Sequence, residues 1–245
     1  MPWSVTLADW WASTQLTGGT AVFFLKGLGE TVLLICGAMS IGLILGTVLA
    51  SLQVFGPAWS RRLTALYVWF FRGIPILLLI LMFHFGFYSQ LQTFVNDLFQ
   101  TRTRFPAFLS AVTALGLCSA AYQSQIFRGA LLSIPSGQFR AALALGFTPA
   151  GAVRGLIMPQ ALRVSLPAWS NEYSIILKDS AVAFTIGCQE LMFRFKSVAA
   201  TNYKFLFMFA LAGLAYYFLT LAGVWFLMKL YQRVRFPGLA EAGSH

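Results

Sequence analysis

Acidic residues are scarce in this chain: Asp and Glu together number 7, against 17 lysines and arginines, in 245 residues. Charged residues of both signs make up 10% of the sequence while apolar residues make up 58%, and the mean hydropathy is +0.74. That balance excludes an ordinary soluble domain. The 3 cysteines, Cys36, Cys118 and Cys188, lie in apolar stretches without metal-ligand spacing, which points to small packing residues rather than a redox or metal site. The 2 histidines, His84 in an apolar stretch and His245 at the end, are too isolated to build a zinc centre. No Gly, four residues, Gly-Lys-Ser/Thr cradle for ATP is present, and no Ser, His and acid grouping offers a nucleophile with its base. The chain therefore reads as a non-enzyme without a cofactor of its own. No internal repeat is visible, which argues against carriers that place a whole pathway in one chain by inverted repetition. The opening residues lack the basic start and cleavage site of a secretory signal, and Trp3, Trp10 and Trp11 suit the headgroup layer, so the N-terminus is expected to be retained at the interface.

What the chain does have is long uncharged runs. They extend from Thr31 to Ser60, Gly73 to Asn96, Phe105 to Phe127 and Phe205 to Met228, each long enough for the roughly 20 residues of a bilayer span. A fifth run, Val164 to Gln189, is interrupted by Glu172, Lys178 and Asp179. Nothing alternates like a barrel strand, so the expected fold is an all-α membrane protein of five transmembrane helices in a single domain over residues 1–245. With five spans the termini lie on opposite sides. One face then receives Arg61, Arg62, Arg72, Arg128, Arg140, Arg154, Arg163, Lys229, Arg233 and Arg235, and the other Lys26, Arg102, Arg104, Arg194, Lys196 and Lys204. The excess on the first face predicts an outside N-terminus and a cytoplasmic C-terminus. The net charge of +10 invites a nucleic-acid reading, but these cations sit at membrane edges without an aromatic stacking platform. They fit lipid anchoring and topology instead.

The longest connection joins the third and fourth spans and reads as structured over about residues 135–160. Pro135 blocks the preceding helix, Ser136 can cap a new one running from Gln138 to Leu145, and Gly146 offers a left-handed stop. Thr148 and Pro149 look like the cap and first residue of a second helix that returns to the membrane at Met158 and Pro159. On the first helix Phe139, Ala142 and Leu143 share a face, while Ala141 and Ala144 allow close approach of another surface. Such a helix suits a docking plug; a helix lying on the headgroups is the alternative.

At these residues the chain resembles the permease subunits of bacterial ATP-binding-cassette importers, in the group that takes up polar amino acids such as histidine, arginine, glutamine, glutamate and opines. The family signature is Glu-Ala-Ala, three residues, Gly, nine residues, Ile, any residue, Leu-Pro. Here Arg140, Ala141 and Ala142 precede Gly146, and Leu156, Ile157, Met158 and Pro159 follow with both intervals intact. GLGETVLLI, FFRGIPILLL, IFRGALLSIPSGQ and PQALRVSLPAWSNEY also resemble the group, so the likeness runs from about Gly27 onward. It implies a type I importer-like fold in the bacterial inner membrane, working as a homo- or heterodimer of permease subunits. It also implies two ATPase subunits that bind the ATP and Mg, an external solute-binding protein, and insertion of the Arg140 to Gly146 helix into the ATPase. Two positions depart from the pattern: Arg140 and Gln125 stand where the family has an acid.

Ionisable residues inside a span are expensive unless they line water, pair, or meet a ligand, so the fourth run supplies the candidate substrate path. Glu172 and Asp179, seven apart, project from nearly the same side at about 10 Å spacing, while Lys178 points about 100° away. An acidic stripe beside an ammonium suits a zwitterionic or cationic amino acid; structural pairing is the alternative. In the third span Ser119, Tyr122 and Gln125 give a polar side able to bond a substrate or another helix. Arg72, before Gly73 and Pro75, can anchor at phosphate or meet a carboxylate. The competing function class is an ion-coupled carrier or channel in which Glu172 and Asp179 carry protons.

Overall fold

The computed structural model describes residues 18–99 and 106–234. Trp3, Trp10, Trp11, Arg102, Arg104, Arg235 and His245 lie outside them, as does the expected placement of the N-terminus. Among the described residues every regular element is helical. In order these are α1 (Gly18–Phe55), α2 (Ala58–Gly73), α3 (Ile76–Leu81), a π-helical stretch (Met82–Tyr88) leading into α4 (Ser89–Phe99), and α5 (Ala107–Ser133). Then come α6 (Ser136–Ala144), α7 (Pro149–Ala152), a π-helical turn (Val153–Ile157), α8 (Met158–Ser180), a 3-10 turn (Ala181–Ile186), α9 (Leu191–Asn202) and α10 (Phe205–Val234). Gly19–Phe55, Ile76–Phe99, Ala107–Ser133 and Phe205–Val234 are long and apolar enough to cross a membrane. In Gly19–Phe55 and Phe205–Val234 the apolar residues run all round the helix, with little preferred face.

The first expected span is displaced. Its helix starts at Gly18, taking in Lys26 and Glu30, and stops at Phe55. Gly56 makes an elbow so tight that a Cβ there would overlap the Leu52 carbonyl and Ser60 Oγ, and Pro57 opens the next helix. The stretch expected as a loop is α2. It is amphipathic: Ser60 and Thr64 are buried and turn their hydroxyls back to the Pro57 and Ser60 carbonyls, while Trp59, Leu63, Leu66 and Trp69 lie exposed on the other side. The second expected span begins after Pro75, as its fixed φ favours.

The interrupted run behaves differently from the other four. Its helix, α8, ends at Ser180, tightens into the 3-10 turn and closes at Gly187, whose φ of +79° is a left-handed stop. Though long enough, it is not among the four helices apolar enough to cross a membrane. The second helix expected to return to the membrane at Met158 and Pro159 is short, and α8 starts at those residues. Pro159 lacks the N–H that would bond four residues back, and the chain answers with the π-helical turn Val153–Ile157 rather than a stop.

The chain comprises two compact units. The first is Met1–Ala38, Pro75–Leu115 and Ile176–Thr220; the second is Met39–Ile74, Gly116–Ile175 and Leu221–His245. In the first, Leu34, Leu79, Ile80, Leu115, Ile176, Leu177 and Met208 are fully buried. Glu190, with no exposed surface, caps α9 by accepting from the Met192 and Phe193 amides at 2.7 Å each, and accepts from the Tyr216 hydroxyl at 2.6 Å. Thr31 Oγ1 accepts from the Leu191 amide at 2.9 Å.

In the second unit α1 and α5 cross at close range. A Cβ on Gly42 would overlap Gln123 Nε2, and one on Gly46 would lie 3.0 Å from Gln123 Cβ. Reciprocally, Ile41 fills the notch at Gly116, where a Cβ would meet it at 2.8 Å. Two glycines four apart are a membrane helix-packing device, because lipid is as apolar as a side chain and association depends on close fit and interhelical hydrogen bonds. Ala50, Phe127, Ala130, Leu131, Ile157 and Ala161 form this unit's buried cluster, with Phe139, Met158, Leu162 and Trp169 packed on it.

Candidate functional site

The segment after α5 forms as its punctuation dictates, with one difference at its start. Pro135 occupies the cap position and Ser136 is already the first helical residue; Ser136 Oγ instead accepts from Arg140 Nη2 at 3.4 Å. Gly146 has φ of +87°, and the Phe147 amide returns to the Ala142 carbonyl at 3.1 Å, closing the helix end. Thr148 caps α7 by accepting from the Gly151 amide at 3.1 Å, with Pro149 next.

The face expected to meet a partner is divided. Phe139 stacks on Phe55, and Ala142 is 3% exposed, so both fasten α6 to its own unit. Leu143 is partly open, and Gly137, Arg140, Ala141 and Ala144 form the outward face. Leu145 at 79% and Phe147 at 49% exposure follow it. Beside Phe139 and Phe55 lies an apolar groove of about 730 Å³, walled by Val48, Leu52, Val153 and Met158 with Arg154 at one side. Pro159 is exposed in the first turn of α8.

Of the candidate path residues, the second unit holds Arg72, Tyr122, Gln125 and Glu172. Arg72 lies over the Tyr122 ring at 4.7 Å, a cation–π contact. Gln125 donates to Gln53 Oε1 at 3.1 Å and Ser124 Oγ at 3.2 Å, and borders a groove of about 420 Å³ with Arg61, Arg128 and Trp69. Glu172 is 2% exposed and accepts from Ser119 Oγ at 2.9 Å. Ser119 in turn accepts from Gln123 Nε2 at 2.9 Å, and Gln123 Oε1 accepts from the Trp169 indole at 2.7 Å. The polar side expected from Ser119, Tyr122 and Gln125 thus spreads over three environments. Lys178 and Asp179 belong to the first unit, in the last turn of α8, where Lys178 is exposed and Asp179 half-buried.

Gln123 and Trp169, the centre of this network, and Glu190 with Tyr216 in the first unit were not singled out from sequence. The available signals were local: Ser119 and Gln123 are four apart, and Gly42 and Gly46 mark a close crossing that needs something opposite. Glu190 sits directly before a run in which Leu191, Arg194, Phe195 and Ala199 share the buried side of α9.

The described residues are thus all helical, with four helices long and apolar enough to cross a membrane and an exposed helix, ended by a left-handed glycine, between α5 and α8. The family described as binding-protein-dependent transport system inner membrane component matches residues 42–236. The chain belongs to that family. It is 30% identical over 238 residues to the histidine/lysine/arginine/ornithine transport system permease protein HisM of Salmonella typhimurium, covering 97% of this chain and 98% of that one. It is 37% identical over 202 residues to the arginine transport system permease protein ArtQ of Bacillus subtilis, covering 81% and 86%. A solved structure of an amino acid ABC transporter with histidines superposes with a TM-score of 0.71 at 29% identity, covering 87% of this chain and 95% of that one. The sequence resemblance to amino-acid ABC transporter permeases is thereby confirmed.

Proposed function

We propose that this chain is the membrane subunit of an ATP-driven importer for polar amino acids, cationic or zwitterionic, of the histidine, arginine or opine kind. In this reading α8 is the fourth of five spans, the N-terminus is outside and the C-terminus cytoplasmic. A second permease subunit, identical or homologous, completes the pathway, a solute-binding protein delivers the amino acid, and ATP and Mg are held by partner ATPases. The observation that carries it is α6: the signature spacing falls on a short helix fastened from behind by Phe139 and Ala142, open in front, and ended by a left-handed glycine. Such a helix can take a push without detaching from its unit. Amino-acid substrates are supported by the names of the relatives. Each ligand biases access only by its differential affinity for the two states, so the ATPases must bind α6 differently before and after closure.

Uptake of labelled histidine and arginine into proteoliposomes holding the purified complex tests this. Uptake that requires enclosed ATP and persists with ion gradients collapsed is expected. Uptake driven by an ion gradient without ATP would favour an ion-coupled carrier and overturn the proposal.

A further inference from the structure

The second unit is almost devoid of negative charge. Its single described acid, Glu172, is 2% exposed and bonded to Ser119; every other charged residue described there is an arginine or lysine. From Asp97 to Glu172 the sequence contains no acid at all. On α6 this excess meets an unusual surface. The outward face is Gly137, Ala141 and Ala144 around Arg140, so three of four positions have almost no side chain. A partner can therefore approach the helix backbone closely, and where it does, water is expelled from around the guanidinium.

Among the described residues Arg140 has only the neutral Ser136 hydroxyl, at 3.4 Å. A cation desolvated against a neutral or basic surface is strongly unfavourable, and a carboxylate with fork geometry matches a guanidinium better than any other protein group. The four outward positions themselves carry no large apolar side chain, although Leu143, Leu145 and Phe147 are exposed beside them, so burial of this face among lipid chains does not account for it. We propose that the ATPase cleft receiving α6 presents an aspartate or glutamate to Arg140, and that this pair, between the exposed Leu145 and Phe147 and the small-residue face, selects the ATPase. The proposal rests on the coupling role of α6 given above and names the chemistry of its partner.

The test uses the full complex purified with its own ATPase, with ATP-driven uptake and ATPase retention at rising KCl as readouts. Arg140→Lys, which keeps the charge but loses the fork, is expected to lower retention only a few-fold, and Arg140→Glu to lower it by about tenfold or more, because a like-charge contact replaces the pair. Cross-linking from Arg140→Cys should reach an acidic residue, and replacing that residue with lysine should restore Arg140→Glu. Ala141→Trp, which blocks close approach without changing charge, should abolish both readouts. If Arg140→Glu assembles and transports normally while Ala141→Trp does not, the carboxylate is refuted and the docking role of α6 stands. If Ala141→Trp is also normal, both fall.

Discussion

Phe139 stacks on Phe55 with ring centroids 5.9 Å apart and planes 29° from parallel, joining the exposed helix α6 to the end of α1. The contact gives α6 a fixed seat. Aromatic pairs contribute about 0.5–1.5 kcal/mol beyond their burial. Phe139→Ala is expected to leave insertion and complex size unchanged while loosening α6. Uptake per ATP hydrolysed should fall roughly twofold to twelvefold, the range that free energy corresponds to. Uptake and hydrolysis measured together in proteoliposomes check this, and an unchanged ratio would show that the seat is dispensable.

Gly146 ends α6 at φ of +87°. A Cβ meets nothing there, so the obstacle is backbone conformation and not space. Gly146→Ala should cost about 1–2 kcal/mol locally. Gly146→Pro, whose ring fixes φ near −65°, should reshape the turn outright. Both variants should insert, and uptake should fall in the order Ala then Pro. Undiminished ATP-driven uptake by the proline variant would remove the hinge from the coupling route.

Glu172 is buried against Ser119, and its role separates cleanly by substitution. Gln keeps an acceptor for that hydroxyl; Leu does not, and an orphaned buried polar group costs about 1–3 kcal/mol. Thermal stability should be near wild type in Glu172→Gln and clearly lower in Glu172→Leu, with uptake following stability. If Glu172→Gln keeps full stability yet loses uptake, the carboxylate charge itself serves transport.

The α1–α5 crossing should be among the least tolerant places in the chain. Gly42→Val puts a branched side chain where Gln123 already sits, and overpacking of this kind costs about 1–3 kcal/mol or more. The expected outcome is a lowered melting temperature in detergent, partly relieved by adding Gln123→Ala. A Gly42→Val protein that melts like wild type would mean that the helices can separate there without loss.

The segment between α5 and α8 was legible almost residue by residue, because Pro135, Gly146, Thr148 and Pro149 each constrain backbone through local chemistry. Even there the face was read the wrong way round: periodicity groups Phe139, Ala142 and Leu143, but cannot say that the first two face their own unit. α2 was hidden because Arg61 and Arg62 mark a membrane edge, which reads as loop although a helix can run along it. The polar residues of α5 were misgrouped for a geometric reason. A three-residue step turns about 60° short of a full circle, so Ser119, Tyr122 and Gln125 drift apart round the helix, whereas Ser119 and Gln123 stay aligned. The helical path continues into α8 across Pro159 because the wide turn Val153–Ile157 absorbs the missing donor, and a proline in a helix's first turn marks a start as readily as a stop.

The paired notches on α1 and α5 carry a mechanical implication. Gln123 occupies the hollow above Gly42 and Gly46 while Ile41 occupies the hollow at Gly116, so either helix could rotate or slip only if both side chains withdrew together. In an importer working as proposed, these two inner halves would travel as one piece, and the sliding that opens and shuts a passage would be left to seams where ordinary side chains, not interlocked ones, meet.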